Sequence, residues 1–338
     1  MKHGLLVLLA LTVLVGCGPT KSMSQTSDGA TLSESQRLNQ WLDGEFETYL
    51  DFSPMSKTRL GDKSDYDKLD DPSDAAADAR LAWRRVSVAS LKAEFDRDAL
   101  EPEAKRSYDL WVFMLDRAEA SLPYRRHEYV FGRNGPHTGL PNALINYHKV
   151  DSASDMQAYI ARLKASGGYF DTYLNRAKLA AAAGIRAPYF DYDVAMSQIQ
   201  RVTRGAPFTG EGTSALWADI TAKVDALVLA ESITAVEAEA LKAEAKTAIL
   251  QSMEPAYDRI NAWLEADRDN LPDTATGAWA LPEGAAFYAY RLKQMTTLPL
   301  TAEAIHQTGL DEVTRIQTEM NAIRESVGFK GSLQDFFT

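Results

Sequence analysis

The chain has 338 residues, 45% of them hydrophobic, and its 36 basic and 47 acidic residues give a formal net charge of −11. A chain of this length and hydrophobic content can bury a sizeable core. The acidic balance argues against nucleic acid as a partner and against electrostatic binding to anionic lipid headgroups. A single cysteine permits no disulfide within one molecule, so stability must come from burial of that core.

The N-terminus has the pattern of a bacterial lipoprotein signal. Met1–His3 supplies a short positive segment, Gly4–Val13 is apolar and uncharged, and Leu14–Cys17 fits a lipobox, a small-residue cleavage site followed by cysteine. The apolar run is too short to span a bilayer, which takes roughly 20 residues. An ordinary signal peptide with a chance cysteine is the alternative, but a lone cysteine in an exported chain is unusual. We therefore predict cleavage before Cys17 and lipidation of its thiol.

Several acyl chains, such as palmitate, on Cys17 would hold the protein to a membrane, because stable anchoring takes more than one chain. Gly18 rather than aspartate follows the cysteine, so in a Gram-negative cell we expect the outer membrane, facing the periplasm. The next residues are rich in Ser, Thr, Lys and Gly and predict a flexible tether. The predicted organisation is a signal peptide (1–16), a tether (17–32) and one helical domain (33–338).

Most of the chain after the tether has the apolar spacing of amphipathic helices. Capping boxes at Ser33 with Gln36 and at Thr234 with Glu237 mark two helix starts. Pro255 predicts a kink or a break in the helix that follows the second box. The predicted helices cover residues 33–53, 73–95, 152–184, 188–204, 217–229 and 301–327, and others begin at Pro102 and Thr234.

Three stretches, 122–150, 205–214 and 270–282, lack helical spacing and are rich in Gly, Pro or polar residues. The first is long for an irregular segment within a compact domain, and such segments are often functional. Short strands are expected at Glu128–Phe131 and Trp279–Leu281. Strands and helices do not alternate along the chain. The predicted fold class is therefore mainly α, a multi-helix array with at most a few short strands.

None of the common catalytic motifs stands out. The histidines beyond the signal peptide, His127, His137, His148 and His306, show no H-E-x-x-H spacing. A zinc site at His137 and His148 has little support, because no cysteine or carboxylate stands in ligand spacing. The chain has no G-x-S-x-G elbow, and its only cysteine is the predicted lipid site. The residues alone assign no catalytic group, metal ion or cofactor to this chain.

Two further patterns have ordinary structural explanations. Residues 210–215 match the dinucleotide fingerprint with Ala in the last place, but no strand of β-branched residues precedes them. The cluster Asp191, Tyr192 and Asp193 is flanked by aromatic residues. Acidic residues are favoured in the first turn of a helix, and this cluster follows a predicted helix start near Pro188.

Several blocks of the sequence resemble a known family. The blocks are Arg133–Pro141 with Leu144–His148, Leu281–Tyr290, and Leu300–Val313 with its continuation to Met320. In this order they are similar to the domain-of-unknown-function 885 family. The resemblance extends from about Ser33 to Phe337.

The resemblance implies a zincin-like, mostly helical metallopeptidase fold, often found on exported or lipid-anchored chains. The family's zinc motif is H-E-x-x-P-G-H-H, with a further Glu in a later G-W-A-L-Y-x-E helix, and neither occurs in this sequence. Zinc peptidases need the metal to polarise the carbonyl and a Glu to take the proton from water. The resemblance thus implies an N-terminal portion, incomplete at its C-terminus and not catalytic by itself, with zinc expected only in the full-length family.

By the same resemblance, Asn134, His137, Tyr147, His148 and Tyr288 are candidates for the wall of a substrate cleft, although they could instead only shape loops. We expect a lipid-anchored envelope protein whose partners are the membrane, a peptide substrate and the missing C-terminal half. The alternative from another class is a non-catalytic peptide-binding or scaffold lipoprotein. A structural envelope protein without a ligand is the third hypothesis.

Overall fold

The computed structural model describes residues 32–272 and 274–338, so the predicted signal peptide and the lipid site at Cys17 lie outside the described residues. Helices make up most of the described chain, which confirms the mainly-α class. The α-helices are α1 (Glu34–Leu50), α2 (Pro54–Leu60), α3 (Asp74–Glu94), α4 (Pro102–Ser121), α5 (Pro136–Tyr147), α6 (Ala153–Ala182), α7 (Tyr189–Val202), α8 (Ala215–Leu229), α9 (Ala235–Ala248), α10 (Glu254–Arg268), α11 (Gly284–Thr296), α12 (Ala302–Ser326) and α13 (Leu333–Phe336).

Local capping signals place several of these helix starts. The Ser33 hydroxyl accepts from the Gln36 amide, and the Gln36 side chain accepts in return from the Ser33 amide. Thr234 and Glu237 form the same reciprocal pair at the start of α9. Both predicted capping boxes are confirmed. Each box satisfies backbone N–H groups that the first turn of a helix leaves without partners.

The longest helix, α6, runs through the larger of two hydrophobic cores. Its side chains Tyr159, Leu163 and Phe170 are fully buried among side chains of α5 and α7–α10. A smaller core joins α1, α3 and α4 around Leu38 and Leu91. Fully burying one such side chain contributes about 1.5–3 kcal/mol. Most of the apolar burial therefore lies in the α5–α10 body, the packed unit formed by these six helices.

Pro255 marks the break in the long helix predicted from its position. A π-helical segment, Ile249–Met253, separates α9 from α10, and Pro255 lies in the first turn of α10. A proline there loses no intrahelical hydrogen bond. The wide π turn sets Ser252 against α6, where its hydroxyl donates to the Lys164 carbonyl at 2.6 Å and accepts from the Gly167 amide at 3.2 Å. The Ser252 side chain thus joins the π segment to the backbone of α6.

Both predicted strands are wrong. Residues Glu128–Phe131 form an irregular segment, and Ala278–Ala280 is a 3₁₀ helix. The strands that the structure does have, β1 (Arg204–Ala206) and β2 (Thr209–Thr213), pair in parallel within the stretch predicted as a loop. Both segments are short, and periodicity alone does not assign so short a run to a strand.

The stretch 122–150 is also more regular than its composition indicates, because α5 forms inside it. Pro136 occupies the first turn of α5, where the fixed φ of proline suits a helix. Beyond α10, the described chain continues through α11 to α13, where α12 has no buried residue. None of the helices in the described ranges is both long and apolar enough to cross a membrane.

Candidate functional site

A cavity of about 1020 Å³ opens between the hairpin of α3 and α4 and the helix α11. Its walls are one face of α3 with the segment 70–74 before it, the end of α4, and the segment 122–129 that follows α4. Tyr173 and Arg176 of α6, Pro188 and residues from 276 to 291 complete the lining. This volume is at the upper end of the range for small-molecule pockets, about 300–1,000 Å³. We call it the α3–α11 cavity.

The wall formed by α3 includes a buried charge. Ala77, Arg80, Leu81 and Arg84 line the cavity, and their spacing places them on one face of the helix. Arg84 stands on the same stripe as the buried Leu81 and Val88 and is itself only 7% exposed. Within the described residues it forms no ion pair or hydrogen bond, and its Nη1 is buried without a partner. An unpaired buried charge of this kind is rare in protein interiors.

Aromatic rings surround the Arg84 guanidinium. The rings of Trp83, Trp111 and Tyr49 lie with their centroids 5.4, 5.7 and 5.8 Å from it. Cation–π attraction offsets part of the loss of hydration. Burial lowers the pKa of Arg84, and the like charge of Arg80 lowers it further. Arg84 is held in a place that disfavours its charge, without a counter-ion from the described chain.

The opposite wall is aromatic. The rings of Tyr124 and Tyr290 stack at 4.7 Å between centroids, and Phe287 lies 4.6 Å from the ring of His127. These residues come from the segment after α4 and from α11, two parts of the chain that are far apart in sequence. Their faces give the cavity an apolar side opposite the guanidinium groups of α3.

His127 in this wall has a defined tautomer. Its Nε2 lies 2.8 Å from the carbonyl oxygen of Pro282, and a carbonyl can only accept, so Nε2 carries the hydrogen. In the neutral ring, the other nitrogen, Nδ1, then presents a lone pair. The His127 side chain is 8% exposed, and Nδ1 is buried without a partner among the described residues. The cavity thus has a second polar atom whose bonding capacity is unused.

The remaining charges of the lining are mostly engaged. The lining contains the arginines Arg80, Arg84, Arg125, Arg176 and Arg291 and the carboxylates Asp70, Asp71, Asp74 and Glu128. Every one of these carboxylates accepts a hydrogen bond from a backbone amide, a hydroxyl or an arginine. By contrast, Arg80, Arg84 and Arg291 form no ion pair with any described residue. Asp74 and Glu128 pair with arginines, whereas Asp70 and Asp71 accept from amides and a hydroxyl and have no ion pair among the described residues. The lining thus has three arginines and two carboxylates without an ion pair, a small excess of positive charge.

One of the five predicted cleft residues lines this cavity. Tyr288 does so from α11 and is 48% exposed. Asn134 is exposed in the turn before α5, and Tyr147 is exposed at the end of α5, with the Arg59 guanidinium 5.5 Å from its ring centroid. Neither is part of the α3–α11 cavity lining. The five residues do not form one group.

The two predicted cleft histidines are core residues. His137 donates from Nε2 to Gln198 Oε1 at 2.7 Å, and its carbonyl accepts from the Tyr257 hydroxyl. Burial lowers the pKa of His137. Its side chain is fully shielded from solvent. These contacts fasten the start of α5 to α7 and α10, which suits a structural role.

His148 lies in a buried polar network. Its Nε2 donates to the Asp155 carbonyl at 3.0 Å and its Nδ1 accepts from Arg162 at 2.9 Å. Arg162 is also fully buried and donates to the Thr58 hydroxyl and the Lys68 carbonyl. Burial lowers the pKa of His148 to about 4 and that of Arg162 to about 10. The network ties α2 and the segment after it to α6.

Zinc, which the family resemblance implies for longer chains, finds no ligand set here. Residues 32–272 and 274–338 contain no group of three or more His, Cys, Asp or Glu side chains placed to hold a metal ion. Three of the histidines, His127, His137 and His148, are bonded in separate places, and His306 is exposed on α12. The donor chemistry of the described residues does not fit a zinc centre.

Neither Arg84 nor His127 is among the cleft residues predicted from the sequence. One signal for Arg84 is present in the sequence: it falls on the apolar stripe of its helix, with Leu81, Val88 and Leu91. A charge on a buried stripe stands out against the usual exposure of arginine. No comparable signal marks His127, because its neighbours in the cavity come from α11.

Comparisons with known proteins place the chain in a family. The model for the family described as "Bacterial protein of unknown function (DUF885)" matches residues 54–338, as the sequence blocks predict. No curated protein matches the chain.

Two solved structures share the fold. One is a protein of Colwellia psychrerythraea predicted to be a lipoprotein, with a TM-score of 0.69 and 19% identity over 90% of this chain and 53% of its own. The other is a predicted lipoprotein of unknown function from Shewanella oneidensis, with a TM-score of 0.59 and 16% identity over 88% of this chain and 48% of its own. The chain thus spans about half the length of these structures.

Proposed function

The chain belongs to the DUF885 family of bacterial proteins of unknown function, and from this premise we propose that it is a lipid-anchored envelope protein that binds peptides in the α3–α11 cavity. In this proposal it forms the substrate-binding part of a metallopeptidase-like protein and has no hydrolytic activity by itself. The membrane, a peptide and the polypeptide that carries the zinc centre are its partners.

The α3–α11 cavity is the observation that carries this proposal. It combines stacked aromatic rings and an imidazole nitrogen without a partner on one wall with guanidinium groups of α3 on the other. A peptide offers apolar side chains to such rings and N–H, C=O and carboxylate groups to the polar atoms. Ligand sites of this kind are mostly apolar, with a few placed polar groups that fix orientation.

The lipid anchor rests on the lipobox at Leu14–Cys17 and on the description of the two solved relatives as predicted lipoproteins. We expect an alkyne analogue of palmitate to label the protein in a bacterial host. A Cys17→Ala variant should lose the label and leave the membrane fraction. Equal labelling of both forms would show that the cysteine is not the acceptor.

The metallopeptidase-like part of the proposal rests on the family resemblance and on length, since the solved relatives are about twice as long as this chain. The residues described here would bind and orient the peptide. The zinc centre would supply the polarised carbonyl and the activated water. No described residue takes part in bond cleavage in this scheme.

The test uses the full chain purified in detergent and a mixture of short dye-labelled peptides. We expect fluorescence anisotropy to show saturable binding, and mass spectrometry to show intact peptides after long incubation. Cleavage that a zinc chelator abolishes would contradict the claim that this chain alone is inactive. Absence of any peptide binding would contradict the proposed function itself.

A second candidate is a peptide-binding or scaffold lipoprotein that never acts with a peptidase. The completeness of the α5–α10 body favours it, since that core is closed by the chain's own residues. Cooperative unfolding of the full chain in urea, together with peptide binding at full strength, would support this candidate. Aggregation of the folded chain at micromolar concentration would contradict it.

A further inference from the structure

Two side chains with unused bonding capacity line the same cavity. Arg84 and His127 both line the α3–α11 cavity, both are more than nine-tenths buried, and each has one buried nitrogen without a partner. A buried polar group left unpaired costs about 1–3 kcal/mol. The folded protein keeps two such groups in one cavity. A ligand that supplies partners to both would recover that cost.

The two groups need hydrogen-bond partners of different kinds. Arg84 can only donate, and its planar guanidinium matches the two oxygens of a carboxylate. In the neutral ring, His127 Nδ1 accepts a hydrogen bond, because Nε2 donates to the Pro282 carbonyl. The ligand must therefore carry both an anionic group and a hydrogen-bond donor.

The charges around Arg84 favour an anion. Arg80 and Arg291 line the cavity and have no ion-pair partner among the described residues. The carboxylates of the lining are already engaged with amides, hydroxyls and arginines. The chain as a whole has a net charge of −11. Unpaired positive charge in a cavity of an acidic protein attracts anions that the rest of the surface repels.

The aromatic wall completes the description of the ligand. Tyr124, Phe287 and Tyr290 present ring faces on the side of the cavity away from α3. An inorganic anion would leave this apolar surface unused. The C-terminal residue of a peptide has all three features: a carboxylate, an adjacent backbone N–H and a side chain that can pack on rings.

We propose that the α3–α11 cavity recognises the free C-terminal carboxylate of a peptide, with Arg84 as the anchor and Arg80 and Arg291 as supporting charges. His127 Nδ1 accepts a hydrogen bond from a peptide N–H, and the rings contact an apolar C-terminal side chain. This inference rests on the proposed function, which places peptides in the cavity. It adds the group by which the peptide is held.

The test compares three labelled peptides on the full chain in detergent. They are dansyl-Ala-Ala-Phe with a free carboxylate, the same peptide as its C-terminal amide, and dansyl-Ala-Glu-Phe amide, which has an internal acid. Hydrogen bonds to charged groups are worth about 1.5–3 kcal/mol, which corresponds to at least about tenfold in affinity. We expect fluorescence anisotropy to show the free acid binding at least about tenfold more tightly than either amide.

Substitutions assign the preference to Arg84. Arg84→Gln should reduce the ratio of acid to amide affinity more than either Arg80→Gln or Arg291→Gln, because it removes the anchoring charge and leaves only the supporting charges of Arg80 and Arg291. The matched control is Arg85→Gln, on the adjacent residue of the same helix, whose exposed guanidinium pairs with Glu119. That variant should keep the full ratio. If Arg84→Gln does not fold, the exposed Arg80→Gln and Arg291→Gln variants should each weaken binding of the free acid several-fold, with little change for the amide.

The outcomes separate this inference from the proposed function. Equal affinity of the free acid and the plain amide would overturn the carboxylate site while peptide binding stands. Equal affinity of the free acid and the internal-acid amide would overturn it as well, because the arginines would then recognise acidic side chains. Failure of all three peptides to bind would contradict the proposed function and this inference together. If all three cavity-arginine variants keep the full preference for the free acid, the arginines do not bind the carboxylate.

Discussion

The α5–α10 body and the C-terminal segment α11–α13 use the same kind of amphipathic sequence with opposite results. In the body, large side chains such as Tyr159, Leu163 and Tyr257 are fully buried. In the C-terminal segment, α12 buries no residue, and its Leu310 and Val313 remain 49% and 53% exposed. Helical spacing forms a helix in both regions, but α12, unlike the helices of the body, buries none of its apolar residues.

The difference extends to polar groups. The body encloses Arg162 and His148, and it surrounds them with hydrogen-bond partners from several elements. The side-chain bonds of α12 are mostly between residues three or four apart on its own surface, as from Arg315 to Glu312 and Glu319. Such exposed pairs contribute only about 0.3–0.5 kcal/mol each. The free energy of unfolding should therefore respond strongly to substitutions in the body and weakly to those in α12.

Arg162→Ala should give the largest effect. The substitution leaves the Thr58 hydroxyl, the Lys68 carbonyl and His148 Nδ1 buried without their donor, and it creates a cavity. We expect a loss of about 3–5 kcal/mol in the free energy of unfolding, measured by urea denaturation. Arg259→Ala is the control, since Arg259 makes a bidentate pair with Asp171 on the surface, and it should cost at most about 1 kcal/mol. Similar losses for both variants would contradict the distinction between the buried network and the exposed ion pairs.

Acid should weaken the body through His148. Burial holds the pKa of His148 at about 4 in the folded chain, against 6.5 for an exposed histidine. The unfolded chain therefore binds the additional proton between these values, and stability is full above pH 6.5 and falls as the pH drops toward 4. The lowered pKa corresponds to about 3 kcal/mol. A protonated Nδ1 would also face the Arg162 guanidinium instead of accepting from it.

The measurement compares urea unfolding at pH 7.5 and pH 4.5 for the wild type and for His148→Gln. Carboxylates titrate in both proteins, so only the difference between them reports on His148. Glutamine can donate and accept as the neutral imidazole does, and the variant should show a shallower dependence on pH. His306→Gln, on the exposed surface of α12, should retain the wild-type dependence. If His148→Gln keeps the wild-type dependence of stability on pH, His148 is not the cause of that dependence.

The elements that the sequence predicted well depend on local signals. The capping box at Ser33, the start of α6 at Ser152 and the break near Pro255 involve residues within one helical turn of each other. These interactions are local, so a single sequence is enough to predict them. The sequence does not predict α5, because its glycines and prolines are typical of a loop. Its helical form depends on the packing of Leu140 and Leu144 in the core.

The candidate site could not be predicted in this way. Arg84 and Phe287 line one cavity although they belong to α3 and α11, and no periodicity in the sequence expresses that placement. The histidines that the sequence favoured, His137 and His148, lie in the core instead. A sequence shows which residue types could bind a ligand, and the fold decides which of them face a cavity.

The close approach of α6 to the π segment predicts a smaller effect. A Cβ on Gly167 would lie 2.9 Å from Ser252 Oγ, whereas a Cβ on Gly168 would meet nothing within 4 Å. Gly167→Ala should cost about 1–3 kcal/mol, because the two helices must move apart. Gly168→Ala should instead stabilise the chain by about 0.5–1 kcal/mol through helix propensity. Thermal unfolding of the two variants should shift in opposite directions, and shifts of the same sign would contradict the close contact.

The smallest effect on the free energy of unfolding is expected in α12, where the difference between the two regions can be tested most directly. Leu310→Ala removes a half-exposed side chain from α12, and Leu163→Ala removes a fully buried one from α6. The same chemical change should cost about 2–5 kcal/mol in the body and within about 0.5 kcal/mol in α12, since alanine also favours the helix. Urea unfolding of both variants at two protein concentrations measures this. A loss above about 1.5 kcal/mol for Leu310→Ala would mean that the apolar face of α12 is covered in solution, and dependence of that loss on concentration would identify a second copy of the chain as the cover.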